Sequence, residues 1–63
     1  TVIELFGREK EVFDLLSSEP QHFDFISNET GMAAGELSGT LTILELAGIV
    51  ERHPGEWFSK IER

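Results

Sequence analysis

The chain has 63 residues, of which 12 are acidic and 5 are basic, so its formal net charge at pH 7 is −7. It has no cysteine, which excludes disulfides and thiolate metal sites, and its 40% of apolar residues is typical of a folded domain. No apolar run is long enough for a transmembrane helix or a signal peptide, so we expect one small cytoplasmic domain without a membrane anchor. Because the chain opens at Thr1 and not at a methionine, we expect it to belong to a longer protein.

The first predicted helix runs from Arg8 to about Ser18. Its apolar side chains recur at the spacing that places them on one helix face, namely Val12, Leu15 and Leu16. Pro20 ends this helix, because the proline ring disfavours helical backbone in the residue before it. We predict that residues 1–8 are a linker or an N-terminal extension and that residues 9–63 form the domain.

A short second helix is predicted over residues 25–30. Asp24 is its expected N-cap, since a carboxylate accepts hydrogen bonds from the free amides of the first turn. Gly31 would end the helix in the left-handed conformation. The side chains expected to be buried are Ile26 with Phe23, Phe25 or both.

The third helix is predicted over residues 33–47, and Gly48 is its expected stop. Its apolar residues are spaced so that three leucines fall on one line along the helix, with further apolar residues beside them. We expect this side to face the core. The leucines in line are Leu37, Leu41 and Leu44, and the residues beside them are Ile43, Leu46 and Ala47.

After the third helix the spacing of the apolar residues changes from that of a helix, about 3.6 residues, to that of a strand, about 2 residues. Residues 49–53 and 57–61 are predicted strands, joined by a turn at Pro54-Gly55-Glu56, where proline suits the second turn position and glycine the third. Strand neighbours point to opposite faces, so Trp57 lies on the outer face if Phe58 faces the core. The order of elements predicts a mainly α fold with a small β-hairpin, a winged helix-turn-helix of three helices plus a wing.

The cations lie near the two ends of the chain. Residues 11–51 contain eight acidic residues and no Lys or Arg. A DNA-binding surface needs Lys and Arg to replace phosphate counterions, and a DNA-reading helix carries Arg, Lys, Asn or Gln on its outward side. We therefore expect direct DNA binding only as weak contacts of Arg52 and Lys60. The outward positions of the third helix are Gly35, Glu36, Ser38, Gly39, Thr42 and Glu45.

A set of short motifs runs along most of the chain. In order, they are Phe23-Asp24-x-Ile26, Thr30-Gly31-Met32, Leu37-x-x-x-Leu41, Leu44-Glu45-Leu46-Ala47-Gly48-Ile49-Val50-Glu51-Arg52 and Pro54-Gly55. Together they resemble the C-terminal winged-helix domain of the bacterial DNA-processing protein A family (DprA, also called Smf). The resemblance covers roughly residues 9–58. Two residues depart from the family pattern, because Glu56 and Trp57 stand where small and polar or basic residues are usual.

The resemblance implies a place in natural transformation. Members of this family bind incoming single-stranded DNA and help load the RecA recombinase. In the family the DNA work belongs mainly to a Rossmann-like domain, which is not in this chain. The resemblance therefore implies that this domain is an accessory C-terminal part of a DNA-processing protein.

We predict that the outward side of the third helix and Trp57 contact protein. Small side chains let a partner approach closely, and an exposed tryptophan is a frequent interface anchor. Other interpretations stay open: the glycines are tolerated surface positions, or Trp57 lies over its own hairpin or stacks on a base. Expected partners are the parent's Rossmann-like domain, another copy of the parent protein, and RecA or another recombination protein. The protein-contact candidates are Gly35, Ser38, Gly39, Thr42 and Trp57.

No catalytic motif is present, so we expect no enzymatic activity, no cofactor and no metal. His22 and His53 border the second helix and the turn, and both are expected to be solvated. Two alternative functions remain. One is the DNA-binding winged helix of a transcriptional regulator, which would use Arg52, Lys60 and the wing. The other is a regulator fragment that dimerises through residues 1–6.

Overall fold

The computed structural model describes residues 7–61, which form three helices and a three-stranded antiparallel sheet. The predicted winged helix is confirmed, and one short strand is added to it. The segment of the alternative dimer, residues 1–6, lies outside the described residues. The elements are α1 Arg8–Leu15, β1 Gln21–His22, α2 Phe23–Thr30, α3 Ala34–Leu46, β2 Val50–His53 and β3 Trp57–Lys60.

The first helix, α1, is shorter than predicted, because it ends at Leu15 and not near Ser18. Leu16 already has extended backbone, with φ −75° and ψ 159°, although its side chain is buried as predicted. Beyond the helix the chain is held by the wing, where the backbone N–H of Lys60 donates to the carbonyl of Ser17 at 2.8 Å.

The second helix, α2, starts two residues earlier than predicted, because its N-cap is His22 and not Asp24. The His22 Nδ1 atom accepts a hydrogen bond from the amide of Asp24 at 3.1 Å. The prediction of Asp24 as the cap was wrong; it lies in the first turn, where its negative charge suits the helix dipole. Gly31 ends the helix as predicted, with φ 72°. Of the apolar side chains, Ile26 is buried, Phe23 is partly buried and Phe25 is exposed.

The third helix, α3, presents its line of leucines to the core, as predicted. Gly48 follows its end with φ 79°, which confirms the predicted stop. The prediction that Ile43, Leu46 and Ala47 lie beside the core was wrong, since Ile43 and Leu46 are 49% and 83% exposed and Ala47 is exposed as well. Their positions on the helix turn them away from the buried line, whatever their hydrophobicity. The fully buried leucines are Leu37, Leu41 and Leu44.

The central strand of the sheet is β3, with β1 on one edge and β2 on the other. Trp57 pairs with His22 on one side and with His53 on the other. In the turn, Gly55 has φ 83°, a left-handed value that favours glycine at the third turn position predicted for it. Phe58 is 1% exposed and Trp57 is 43% exposed, so Phe58 faces the core and Trp57 faces outward, as predicted.

One hydrophobic core joins the three helices to the wing. Within residues 7–61, every buried side-chain nitrogen and oxygen atom has a hydrogen-bond partner. The hydroxyl of Thr30, for example, donates to the carbonyl of Ile26 at 2.8 Å. In the same part of the chain, no helix is long and apolar enough to cross a bilayer. The core residues are Val12, Leu16, Ile26, Met32, Leu37, Leu41, Leu44, Val50 and Phe58.

Candidate interaction surfaces

The outward side of α3 carries four of the five predicted protein-contact residues. Gly35, Ser38, Gly39 and Thr42 are all exposed there. A Cβ atom built on either glycine would meet nothing within 4 Å, so the surface is open. The hydroxyl of Thr42 donates to the carbonyl of Ser38 at 2.9 Å and is already satisfied within the helix. The structure therefore brings these four residues together on one low-relief surface.

Two exposed apolar side chains extend this surface. Ile43 lies one turn after Gly39 and Leu46 about two turns after it, on the same side of the helix. Sequence reasoning missed them because it assigned every apolar residue of the helix to the core. The available signal was that this helix is apolar on more sides than one core can cover. We define the α3 face as Gly35, Ser38, Gly39, Thr42, Ile43 and Leu46.

The acidic side chains of α3 are engaged with arginines. The Glu36 Oε2 atom lies 3.9 Å from Arg8 Nε, and the Glu45 Oε1 atom lies 2.9 Å from Arg52 Nη2. Arg8 also donates to Glu11 at 2.7 Å. This hydrogen bond, together with the charge of Glu11, raises the pKa of the Arg8 guanidinium above its ordinary value. The α3 face is therefore bordered by carboxylates that are paired with arginines of the same domain.

The two weak nucleic-acid candidates, Arg52 and Lys60, are also held within the domain. The Arg52 guanidinium lies over the ring of Phe58, 5.0 Å from its centroid, and the Lys60 Nζ atom lies over the ring of Phe13 at 4.4 Å. Such cation–π contacts attract the cation to the ring face. Every Lys and Arg in residues 7–61 thus has an internal contact. The pairs are Arg8 with Glu11, Lys10 with Asp14 at 2.8 Å, Arg52 with Glu45, and Lys60 with Phe13.

The fifth protein-contact candidate, Trp57, lies on a separate surface, the outer face of the sheet. The rings of His22 and Trp57 are nearly perpendicular, with an angle of 80° between their planes and centroids 5.2 Å apart. The indole also covers the turn, because a Cβ atom on Gly55 would lie 3.3 Å from Trp57 Cδ1. Trp57 therefore does lie over its own hairpin, one of the interpretations left open, although it stays 43% exposed. These contacts tie it to the wing and β1, not to the α3 face.

The two histidines are less solvated than expected. His22 caps α2, and His53 shares a hydrogen bond of 2.8 Å with the hydroxyl of Ser59. Their side chains are 34% and 32% exposed, so both have structural contacts. In the part of the chain that the structure describes, no three His, Asp or Glu side chains group in a way that could hold a metal ion.

The architecture defines a winged-helix domain, in which α2, a short turn and α3 form the helix-turn-helix and the hairpin forms the wing. The model of the DprA winged helix domain family matches residues 4–56. The chain therefore belongs to this family, which confirms the resemblance seen in its motifs. A search of curated proteins and a search of solved structures found no significant match.

Proposed function

We propose that this domain is the accessory C-terminal winged helix of a DprA-type DNA-processing protein and that it contacts protein instead of reading DNA. In this proposal the parent protein binds incoming single-stranded DNA in the bacterial cytoplasm and helps load RecA during natural transformation. Family membership supports the role of the parent. The surface of the domain supports the protein contact, and we assign no catalytic step to it.

The observation that carries the proposal is the composition of the α3 face. In a DNA-reading winged helix this side of the helix enters the major groove and offers Arg, Lys, Asn or Gln to the bases. Here it offers Gly, Ser, Thr, Ile and Leu. The cores of protein interfaces are depleted in charged residues and more apolar than the rest of the surface; the α3 face carries no charged residue and two exposed apolar side chains, Ile43 and Leu46.

The electrostatics of the domain argue in the same direction. Residues 7–61 contain ten acidic and four basic side chains, and each of the four cations already contacts a carboxylate or a ring. A DNA backbone approaching α3 would meet Glu36 and Glu45 before any free cation. Releasing Arg52 for a phosphate would leave Glu45 without its partner, so binding DNA there would cost an existing ion pair.

We propose three kinds of partner for this surface. They are the Rossmann-like domain of the parent, a second copy of the parent, and a recombination protein such as RecA. The net charge of −7 favours a partner whose own surface is basic around its apolar contact, because opposite charges steer the encounter. Association would cover Ile43 and Leu46, which are otherwise exposed to water.

The test places Gly39→Arg in the full-length protein, with Asn28→Arg as the matched control. Both substitutions add one cation at an exposed helical position, but only Gly39 lies on the α3 face. We expect Gly39→Arg to weaken self-association or RecA binding by about tenfold or more, which is about 1.4 kcal/mol. Single-strand affinity should stay level or rise slightly through the added charge. Asn28→Arg should leave the protein contacts unchanged.

Three outcomes would contradict the proposal. One is unchanged protein association in Gly39→Arg. Another is strong duplex binding that depends on Arg52 and Lys60, as a transcriptional regulator requires. The third is a loss of single-strand affinity in Trp57→Ala with protein contacts intact, which would assign the wing to base stacking.

A further inference from the structure

The outer face of the sheet carries three ring side chains in register. The pairing of the three strands places His22, Trp57 and His53 directly opposite one another. Residues paired in this way on antiparallel strands point to the same side of a sheet. The indole at the centre is 43% exposed, so part of its surface is open to a partner. We define the wing row as His22, Trp57 and His53.

Carboxylates border the wing row at both ends. The Asp24 Oδ2 atom lies 3.8 Å from His22 Nδ1, and the Glu51 Oε2 atom lies 3.7 Å from His53 Nε2. The side chains of Asp24 and Glu51 are 84% and 59% exposed. Their negative charges are therefore available to a molecule that approaches the indole.

The cations of the wing belong to the other side of the sheet. Arg52 pairs with Phe58 and Lys60 pairs with Val50, and both of these partners are core residues. The two cations lie over the rings of Phe58 and Phe13. Within residues 7–61 the outer face of the sheet therefore combines an exposed indole with carboxylates and carries no Lys or Arg.

We propose that the wing row docks an arginine- or lysine-rich segment of a protein partner. A guanidinium or ammonium group lies over the exposed indole, since tryptophan is the strongest cation–π acceptor among the side chains. The carboxylates of Asp24 and Glu51 accept charge-assisted hydrogen bonds from neighbouring cations of the segment. The same carboxylates repel phosphate, which favours a basic protein over a nucleic acid. The inference rests on the proposed protein-contact function and adds a second surface, with its partner chemistry, to the α3 face.

The first measurement uses the intrinsic fluorescence of the 63-residue chain. Trp57 is its only tryptophan, so the emission reports directly from the wing row. The probe is a short peptide of alternating Arg and Gly. A peptide of alternating Glu and Gly and a single-stranded oligothymidine serve as comparisons. We expect the arginine peptide to bind and to change the emission, and we expect the other two to leave it unchanged.

The second measurement compares matched variants by the anisotropy of a labelled arginine peptide. Trp57→Ala should weaken binding of the peptide about two- to fivefold, because an exposed cation–π contact contributes about that factor to the affinity. Phe25→Ala is its control, because Phe25 is also 43% exposed but lies on α2, and it should leave the affinity unchanged.

A pair of double variants distinguishes the effect of where the carboxylates lie from the effect of the net charge of the chain. Asp24→Asn with Glu51→Gln removes the two carboxylates beside the wing row. Glu19→Gln with Glu29→Gln removes two exposed carboxylates elsewhere, with the same change of net charge. We expect the first double variant to lose more affinity than the second. This pair keeps the inference testable if circular dichroism shows that Trp57→Ala is unfolded.

Equal affinities within each matched pair would show diffuse attraction to an acidic protein and would overturn the inference. Absence of binding by the arginine peptide would overturn it too, as would tighter oligothymidine binding that depends on Trp57. The proposed function is tested separately through Gly39→Arg. Suppose that Gly39→Arg weakens protein association but the arginine peptide does not bind. The wing row is then rejected as a docking site, and the proposed protein-contact function of the α3 face stands.

Discussion

Arg52 of β2 and Glu45 of α3 are joined through a single carboxylate oxygen, which lies 3.0 Å from Arg52 Nε and 2.9 Å from Nη2. The pair connects the last turn of α3 to the first strand of the wing. Surface ion pairs of this kind contribute about 0–1 kcal/mol to stability. The pair also holds an arginine that could otherwise contact a phosphate.

We predict that the 63-residue chain binds duplex DNA only as a weak, non-specific contact. Its cations could neutralise about two or three phosphates, against about six to ten in strong, salt-sensitive binders. Glu45→Gln should raise the affinity modestly by releasing Arg52, and Glu19→Gln, with the same change of charge, should raise it less. Fluorescence anisotropy at low and moderate salt measures both. Sub-micromolar binding by the unmodified chain, with a steep salt dependence, would refute this prediction.

The leucines of α3 offer a matched test of the core. Leu41→Ala or Leu44→Ala should cost about 2–5 kcal/mol, because each removes a fully buried side chain. The core of a domain of this size rarely supplies more than about 3–5 kcal/mol, so much of the population should unfold. Leu46→Ala, at an 83% exposed position, should change stability by less than about 0.5 kcal/mol. Melting followed by circular dichroism distinguishes them; similar midpoints for all three variants would disprove the assignment of faces.

Two glycines, one inside α3 and one just after it, should change stability in opposite directions when replaced by alanine. Gly39 lies inside α3, and an added methyl group meets nothing there, so Gly39→Ala should stabilise the domain by about 1 kcal/mol. Gly48 has φ 79°, and alanine in that conformation costs about 1–2 kcal/mol. Urea denaturation of both variants is the measurement. Destabilisation by Gly39→Ala would mean that the α3 face packs against something even in the isolated chain.

The wing contains a residue whose backbone suits glycine better than glutamate. Glu56 has φ 64°, a left-handed conformation that costs a residue with a side chain about 1–2 kcal/mol. Glycine removes this strain but loses about 0.5–1 kcal/mol through its freer unfolded chain. We therefore expect Glu56→Gly to stabilise the domain by about 0–1.5 kcal/mol. Glu51→Gly, inside β2, is the control and should destabilise it; the reverse order of melting midpoints would contradict this account.

Local rules of sequence predicted the parts of the fold that depend on neighbouring residues. The stops at Gly31 and Gly48 and the turn at Gly55 follow from the need for positive φ, which the structure has at all three. The period of the leucines predicted which side of α3 is buried. The family resemblance depended on the same local motifs, and the match over residues 4–56 confirmed it.

The features that the sequence did not predict depend on contacts between distant segments. Strand β1 has only two residues, too few for any period, and it exists because His22 pairs with Trp57 across the sheet. The extended segment after α1 is held by the hydrogen bond from the Lys60 N–H to the Ser17 carbonyl. The exposure of Leu46 depends on how much of α3 the core can cover. The separation of Trp57 from the other candidate residues, which lie on the α3 face, also depends on contacts between distant segments, because only the assembled sheet orients its side chain.

The position of β3 in the middle of the sheet decides where the domain can be shortened. The family match ends at residue 56, just before this strand begins. A chain truncated there would lose Phe58 from the core, and both β1 and β2 would lose the strand with which they pair. Cooperative folding therefore needs residues beyond the segment by which the family is recognised, at least as far as Lys60 at the end of β3.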